Sequence, residues 1–382
     1  MDPARGAGRG SCHRGAFWTS STVQPPVHPS VSGTAPLPPP RAYADGQVSQ
    51  STKGIVVRTP LSWLADRYTL APRSVRWATL LSVVASIGIV VTGGVVRVTG
   101  SGLGCTDWPA CTDSTLAPTA EMGMHGAIEF GNRLLTGVLC AVVGWVIVAA
   151  RLQRTPVPSV LRGGWAQFWI VVLNALVGGL TVWMKLSPYI VAAHFIAAML
   201  LLTAAVVTWH RVRRHGEEAR PAVPMPPAVR PATVALVAAN ALLILVGTLA
   251  TGTGPHAGDS SDVPRMPLNW RFVTTLHGLL GAAVLGLLVY LLSVLPKRGC
   301  ALARQKTVLL LITVVAQGGI GLMQSLSGLP ALAVVLHLFG SALVWAGALQ
   351  VYLTVGTASS GRPAPAAETE NRPERPTSLA GR

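Results

Sequence analysis

Ionisable side chains gather near the start of one apolar run of this chain. Glu129, Asn132 and Arg133 open the run, and His125 lies one turn nearer its beginning. The spacing of residues 125, 129 and 132 places all three on one face of a helix. A carboxylate and a cation are costly inside a membrane unless they are paired or used. The sequence therefore predicts a functional site at this helix start.

Three further apolar runs each carry one histidine at a corresponding depth, namely His194, His277 and His337. A single membrane histidine is commonly a hydrogen-bonded packing residue, but three at matching positions indicate a shared role. Imidazole is a usual axial ligand of haem iron, and a four-helix bundle core is a usual place for haem. We therefore expect His277 and His337 to clamp one haem, and His194 to help bind a second.

Glu129 admits two interpretations. Arg133, four residues later on the same helix, could pair with it structurally. Alternatively, Glu129 is an acid, a base or a charge stabiliser beside a substrate haem. Arg97 and Arg133 are candidates for binding haem propionates, because guanidinium groups pair well with carboxylates.

Cys105 and Cys111 flank a short loop that contains Trp108 and Pro109. Outside the cytoplasm such a pair is expected to oxidise, and Pro109 permits a turn that brings the two cysteines together. The disulfide either staples the loop or carries electrons. A zinc site is not expected, because two cysteines with acidic neighbours do not complete a tetrahedral ligand set.

The elements that carry these residues have the composition of a membrane protein. Half of the 382 residues are apolar and only 12% are charged. About eight runs approach the ~20 residues that a spanning helix needs; they lie at 77–96, 125–150, 163–184, 188–209, 232–251, 271–295, 305–326 and 330–355. The net charge of +16 does not indicate a nucleic-acid partner, because the cations form no basic face with interleaved aromatic residues.

The loops between the runs predict the orientation. Cations concentrate in every second connection, and the other connections, including the one with the cysteines, are poor in cations. The positive-inside rule then places both termini in the cytoplasm and the cysteine loop outside, in a multi-pass protein of the cell (plasma) membrane. Residues 1–75 and 356–382 are rich in Pro with small or polar residues and are predicted to be disordered cytoplasmic tails.

The sequence also contains an internal repeat. Runs three and four share with runs seven and eight a Gly-Gly pair, a Pro-containing turn and a following histidine. The Gly pairs, 178–179 and 318–319, are expected to allow close helix contact. Two halves with four helices each must share one orientation, so we predict two tandem four-helix bundles related by a pseudo-twofold axis along the membrane normal. The halves are 76–210 and 232–355, joined by a basic cytoplasmic linker at 211–231.

The motifs VRVTGSGLGCTDWPAC and IEFGNR, followed by the three later histidines, resemble the haem A synthase family over about residues 75–355. The resemblance implies an eight-helix protein that binds two haems and oxidises the C8 methyl of haem O to the formyl group of haem A. It implies a catalytic role for Glu129 and a haem b held by His277 and His337. The substrate, haem O, would belong to the first half with His194.

One position departs from the family pattern. Many members have His where this chain has Asn132, and an amide is a poor haem ligand. Either His194 alone ligates the substrate iron, or His125 replaces the missing ligand. His125 lies some ~10 Å along the helix axis from position 132, which favours His194 alone.

The partners implied by the resemblance are haem O, haem A, a haem O synthase and cytochrome oxidase assembly factors, with lipid around the helices. Association into a homo-oligomer is left open. The main alternative is a di-haem b-type electron-transfer subunit, which would favour haems stacked at two depths. A haem carrier or assembly chaperone is a third class. The histidines all lie near one side, which favours two centres side by side and therefore the enzyme.

Overall fold

The structure, a computed structural model, describes residues 59–215, 225–259 and 261–359, and these residues are mainly helical. A short helix and eight long ones follow one another: α1 (Pro60–Arg67), α2 (Pro72–Val98), α3 (Gly123–Arg151), α4 (Pro158–Trp183), α5 (Pro188–His215), α6 (Val229–Thr253), α7 (Trp270–Val294), α8 (Ala301–Leu326) and α9 (Ala331–Ser359). The eight long helices are long and apolar enough to cross a membrane. The predicted all-helical membrane protein with eight spans is confirmed.

Helix boundaries follow local sequence signals. Four of the helices (α1, α2, α4 and α5) begin at a proline, which suits a first turn because its N–H groups have no helical partner. Asn269 caps α7, since its side chain accepts a hydrogen bond of 3.0 Å from the backbone N–H of Phe272. The four predicted domain boundaries, at residues 75, 210, 231 and 355, fall inside α2, α5, α6 and α9, because each helix extends beyond its apolar run. The predicted N-terminal tail also contains α1, and the other parts of the two tails, residues 1–58 and 360–382, lie outside the described residues.

Each half of the helical region has the same pattern of helix neighbours. In the first half α2 contacts α3 and α5, and α4 contacts the same two helices. In the second half α6 contacts α7 and α9, and α8 contacts the same two helices. Between the halves, α5 and α9 contact each other, α2 contacts α9 and α5 contacts α6. The contacts between the halves are symmetric, because replacing each helix by its counterpart (α2 by α6, and α5 by α9) gives the same set of contacts. This symmetry is expected for two tandem bundles.

Apolar packing joins the two halves through α2, α5 and α9. The buried cluster at this junction includes Val90 of α2, Leu202 of α5 and Leu349 of α9. Gly94 of α2 lets α9 approach closely, because a methyl group at Gly94 would lie 2.7 Å from a methyl carbon of Leu338. The halves therefore meet along a packed seam.

The four connections α2–α3, α4–α5, α6–α7 and α8–α9 meet at one end of the helices, here called the cysteine-loop end. The backbone N–H of Gly102 donates to the carbonyl of Gly258 at 2.7 Å. Leu186, in the α4–α5 connection, packs against Gly102. His256 Nε2 lies 2.9 Å from the carbonyl oxygen of Leu329, in the α8–α9 connection. These contacts tie the loops of both halves into one layer over the helix starts.

Candidate functional site

Two imidazoles face each other in the core of the second half. The ring centroids of His277 and His337 are 6.1 Å apart, with an interplanar angle of 66°. Two imidazoles bonded at about 2 Å to opposite sides of one metal ion would have centroids about 6 Å apart. Among the described residues, no group of three or more His, Cys, Asp or Glu side chains could hold a metal ion. The spacing therefore suits one metal ion held by the two histidines.

Each of the three predicted histidines rests against a glycine of the helix before it. The pairs are Gly178 with His194, Gly247 with His277 and Gly321 with His337. A methyl group added at these glycines would lie 3.1, 2.8 and 3.5 Å, respectively, from the Cε1 atom of the ring. The glycines thus make room for the rings and define how deeply each ring enters its bundle.

The Nδ1 atoms of His194, His277 and His337 are buried and have no hydrogen-bond partner of good geometry within the described parts of the chain. Two of the rings nevertheless interact with a backbone carbonyl of the preceding helix. The carbonyl of Asn174 interacts with the His194 ring, and the carbonyl of Leu243 with the His277 ring. Carbonyl contacts of this kind orient metal-ligating imidazoles. Buried rings without a strong protein partner fit a role as ligands better than a role as packing residues.

The first half has an amide where the second half has its first imidazole. Asn132 occupies the position on α3 that His277 occupies on α7, and its Oδ1 accepts a hydrogen bond of 2.7 Å from the hydroxyl of Thr92. His125 lies in an exposed position near the beginning of α3, where its Nδ1 is 3.0 Å from the Oγ of Ser101. At the cysteine-loop end, the first half therefore offers one imidazole with a buried nitrogen, that of His194; the half-buried His210 lies near the other end of α5.

Glu129 and Arg133 form an ion pair that holds the cysteine loop. Glu129 is 6% exposed. One of its carboxylate oxygens accepts from the backbone N–H of Cys105 and the other from Arg133 Nη2, both at 2.6 Å. Arg133 Nη1 donates to the carbonyls of Asp107 and Ala110, each at 2.9 Å. The pairing that the sequence offered as one interpretation of Glu129 is present, and it extends into the loop.

The disulfide between Cys105 and Cys111 closes this loop, and both cysteines are fully buried. Trp108 at the loop tip lies edge-on to Trp183, with ring centroids 5.7 Å apart. Its indole also covers Gly179, because a methyl group there would come 2.5 Å from Trp108 Cδ2. Since the adjacent Gly178 receives His194, the loop covers the helix segment next to that imidazole.

The predicted glycine pairs differ in their contacts. Gly178 and Gly179 receive His194 and Trp108, respectively. Nothing lies within 4 Å of methyl groups placed at Gly318 and Gly319, so the close contact expected there is absent. Gly321, one turn later, receives His337 instead. The correct repeat register is the one in which each histidine follows its glycine by 16 residues, as His194 follows Gly178 and His337 follows Gly321.

Arg97 crosses from the first half to the second. Its Nη2 donates to the carbonyl oxygen of Thr251 at 2.8 Å, and its Nε is buried without a partner among the described residues. The positive charge of Arg265, in the α6–α7 connection, repels the Arg97 guanidinium. Sequence reasoning missed Arg265. The available signal was a cation in a connection whose other charged residues, Asp259 and Asp262, are acidic.

These features define a class of protein: a multi-span helical membrane protein whose two bundle cores carry histidines suited to metal ligation. A family model described as COX15-CtaA, cytochrome oxidase assembly protein, matches residues 76–349. The chain therefore belongs to this family, and the resemblance to haem A synthases is confirmed at the level of the family.

Curated relatives carry the name "Heme A synthase". The protein of Geobacillus thermodenitrificans is 34% identical over 117 residues, which cover 29% of this chain and 34% of the relative. That of Lysinibacillus sphaericus is 30% identical over 141 residues, or 35% of this chain and 45% of the relative. That of Rhizorhabdus wittichii is 29% identical over 250 residues, or 55% of this chain and 69% of the relative. The first two matches thus span less than half the length of those relatives.

Proposed function

We propose that this chain is a haem A synthase, a membrane oxidoreductase that converts the C8 methyl of haem O into the formyl group of haem A for cytochrome oxidase. The observation that carries the proposal is the difference between two halves of one architecture. The second half has two facing imidazoles, whereas the first has one imidazole and a buried carboxylate. Such a division suits one site for electron transfer and one for reaction. Family membership supports the same conclusion.

The second half is the proposed site of a resident haem b. His277 and His337 would hold its iron, and the 6.1 Å between their ring centroids suits that role. When bound, the haem supplies one-electron redox chemistry. Gly247 and Gly321 fix the depth of the two rings. A haem held by two histidines would be suited to electron transfer.

The first half is the proposed site of haem O as the substrate. His194 would ligate its iron from α5. Asn132 is not assigned as a ligand, because its amide oxygen already accepts the hydrogen bond from Thr92. His125 is not assigned either, since it is exposed and bonded to Ser101. We therefore propose that His194 is the single protein ligand of the substrate iron.

Glu129 is the proposed catalytic residue. Oxidation of the methyl group removes protons and electrons, and the proposed haem b of the second half would accept the electrons one at a time. Positive charge develops at that carbon as the electrons leave. A carboxylate nearby can stabilise this charge or take a proton from an incoming water molecule. Arg133 and the N–H of Cys105 hold the carboxylate at a fixed position. Each carboxylate oxygen keeps a further lone pair for a water molecule.

We further propose that the protein lies in the plasma membrane with both termini in the cytoplasm and the cysteine loop outside. The disulfide supports this orientation, because such bonds persist in oxidising compartments. The Cys105–Cys111 bond is assigned a structural role, since its loop holds Glu129 through Cys105 and covers Gly179 through Trp108. A haem O synthase would supply the substrate, and cytochrome oxidase assembly factors would receive the product.

Pigment analysis of the purified full chain tests the proposal. The protein would be produced in a bacterium that lacks haem A synthesis but contains a haem O synthase, and its haems extracted and separated. We expect haem b together with haem O and haem A. Haem b alone would assign the chain to the electron-transfer subunits and refute the enzyme. A preparation that carries haem O without forming any haem A would indicate a carrier.

A further inference from the structure

Two arginines approach neighbouring residues of α6 at the cysteine-loop end. Arg97 Nη2 donates to the carbonyl of Thr251, and the backbone N–H of Met266, the residue after Arg265, donates to the carbonyl of Gly252 at 3.1 Å. Arg97, near the end of α2, and Arg265, in the α6–α7 connection, come from different halves of the protein. Arg97 Nε and Arg265 Nη2 are both buried and have no hydrogen-bond partner among the described residues. The like charges of the two groups repel each other. Burial also lowers the pKa of the Arg265 guanidinium, because desolvation disfavours its charged form.

No acidic side chain of the described region compensates this pair. The ion pair found among the described residues is the one between Glu129 and Arg133. The carboxylate of Asp259 accepts hydrogen bonds from Ser261 in its own loop. Two half-buried arginines, each with a buried nitrogen that has no partner among the described residues, are suited to bind an anion. Guanidinium donors match the geometry of a carboxylate or phosphate.

The position of this pair relates it to the second half. Arg97 donates to the carbonyl of Thr251. Thr251 lies one helical turn beyond Gly247 on α6, and its hydroxyl donates to the Gly247 carbonyl at 2.9 Å. Gly247 is the residue against which His277 rests. Arg97 therefore contacts α6 about one turn, or ~6 Å of helix rise, closer to the cysteine-loop end than Gly247. The backbone next to Arg265 contacts α6 one residue further on, at Gly252.

We propose that Arg97 and Arg265 together bind one carboxylate, a propionate of the haem held between His277 and His337. This inference rests on the proposed function of the second half. It assigns Arg97 to the haem of the other half, so that the first bundle contributes to the cofactor site of the second. Arg133 does not share this role, because its guanidinium already binds Glu129 and the cysteine loop.

The test uses the full chain with its haems and measures haem retention and the midpoint potential of the low-spin haem b. In Arg265→Gln we expect about ten- to a hundredfold weaker haem retention, as for the loss of a charge-assisted hydrogen bond. The potential should fall by about 30–60 mV, which corresponds to a three- to tenfold weaker preference for the reduced haem. Arg265→Lys should recover most of the potential. Arg271→Gln, which removes an exposed cation six residues away, is the matched control and should match the wild type.

Arg97→Gln and the double variant complete the experiment. If both guanidinium groups bind one carboxylate, the double variant should shift the midpoint potential by less than the sum of the shifts in the two single variants. A wild-type potential in Arg265→Gln with haem b bound would refute this inference alone. Absence of haem b from the wild-type protein would refute the proposed function instead.

A lipid phosphate is the other anion with suitable chemistry. Wild-type and Arg265→Gln proteins would therefore be compared in vesicles of phosphatidylcholine with and without phosphatidylglycerol. For a propionate, the potential difference between the two proteins should be the same in both lipids. Thermal stabilisation of the wild type by phosphatidylglycerol that disappears in Arg265→Gln, with unchanged potentials, would assign the site to lipid and overturn the proposal.

Discussion

The substitution Gly247→Ala isolates the fit of the His277 ring. The added methyl group would lie 2.8 Å from Cε1 and 3.2 Å from Nδ1 of His277. Carbon atoms in favourable contact are about 3.5–4.0 Å apart, so the ring must retreat. Overpacking of this kind costs about 1–3 kcal/mol. If that cost falls on the haem-bound state, haem retention should weaken by about five- to a hundredfold. The helix itself should not suffer, because replacing Gly by Ala favours helix by about 1 kcal/mol.

The assay is the absorption spectrum and the haem b content of the purified protein, measured before and after incubation with a haem-scavenging protein. Gly321→Ala is the matched variant, because its methyl group would lie 3.5 Å from Cε1 of His337, at an ordinary contact distance. Gly318→Ala controls for the helix effect, since nothing lies within 4 Å of that position. We expect loss of haem b in Gly247→Ala and wild-type behaviour in the other two. Equal haem retention in Gly247→Ala and Gly321→Ala would refute the reasoning.

The remaining predictions concern the ligands, the carboxylate and the loop. His337→Ala should lose the low-spin b-type spectrum, and an unchanged spectrum would exclude this residue as a ligand. Glu129→Gln should keep its haems while haem A formation falls by about a hundredfold or more; a wild-type ratio of haem A to haem O would remove the catalytic role. Gly179→Ala should displace the Trp108 indole and speed reduction of the disulfide by an external thiol, measured by thiol labelling. In the control variant Gly319→Ala, the disulfide should be reduced at the wild-type rate.

The sequence predicted the helices well because membrane spans are encoded by local composition. Eight apolar runs gave eight helices whose ends agree with the predicted ones to within a few residues. The pairing of Glu129 with Arg133 was also accessible, because residues four apart on a helix are neighbours. The sequence also placed His277 and His337 at one depth in the same half, and their rings face each other in the structure.

Contacts between helices distant in sequence were not predictable in the same way. Which glycine receives a histidine depends on the rotation of each helix about its axis, and hydropathy does not encode that rotation. The sequence pattern therefore predicted a close contact at Gly318-Gly319, whereas in the structure Gly321 contacts His337. Arg265 was missed for a similar reason, since its neighbour Arg97 lies in the other half of the chain.

The difference between the two halves rests on one pair of helix positions. In the second half, Gly247 leaves room for an imidazole from the next helix. In the first half, the corresponding helix pair holds Thr92 and Asn132, whose side chains satisfy each other at 2.7 Å. A polar pair that is already satisfied has little tendency to rearrange, because breaking it inside a bundle would leave buried groups without partners. Because residue 132 is an asparagine whose amide oxygen accepts from Thr92, α3 supplies no imidazole at this position. In the proposed enzyme, the substrate iron would consequently be held by one protein ligand, more loosely than the resident haem, and a haem that must leave as product requires that weaker hold.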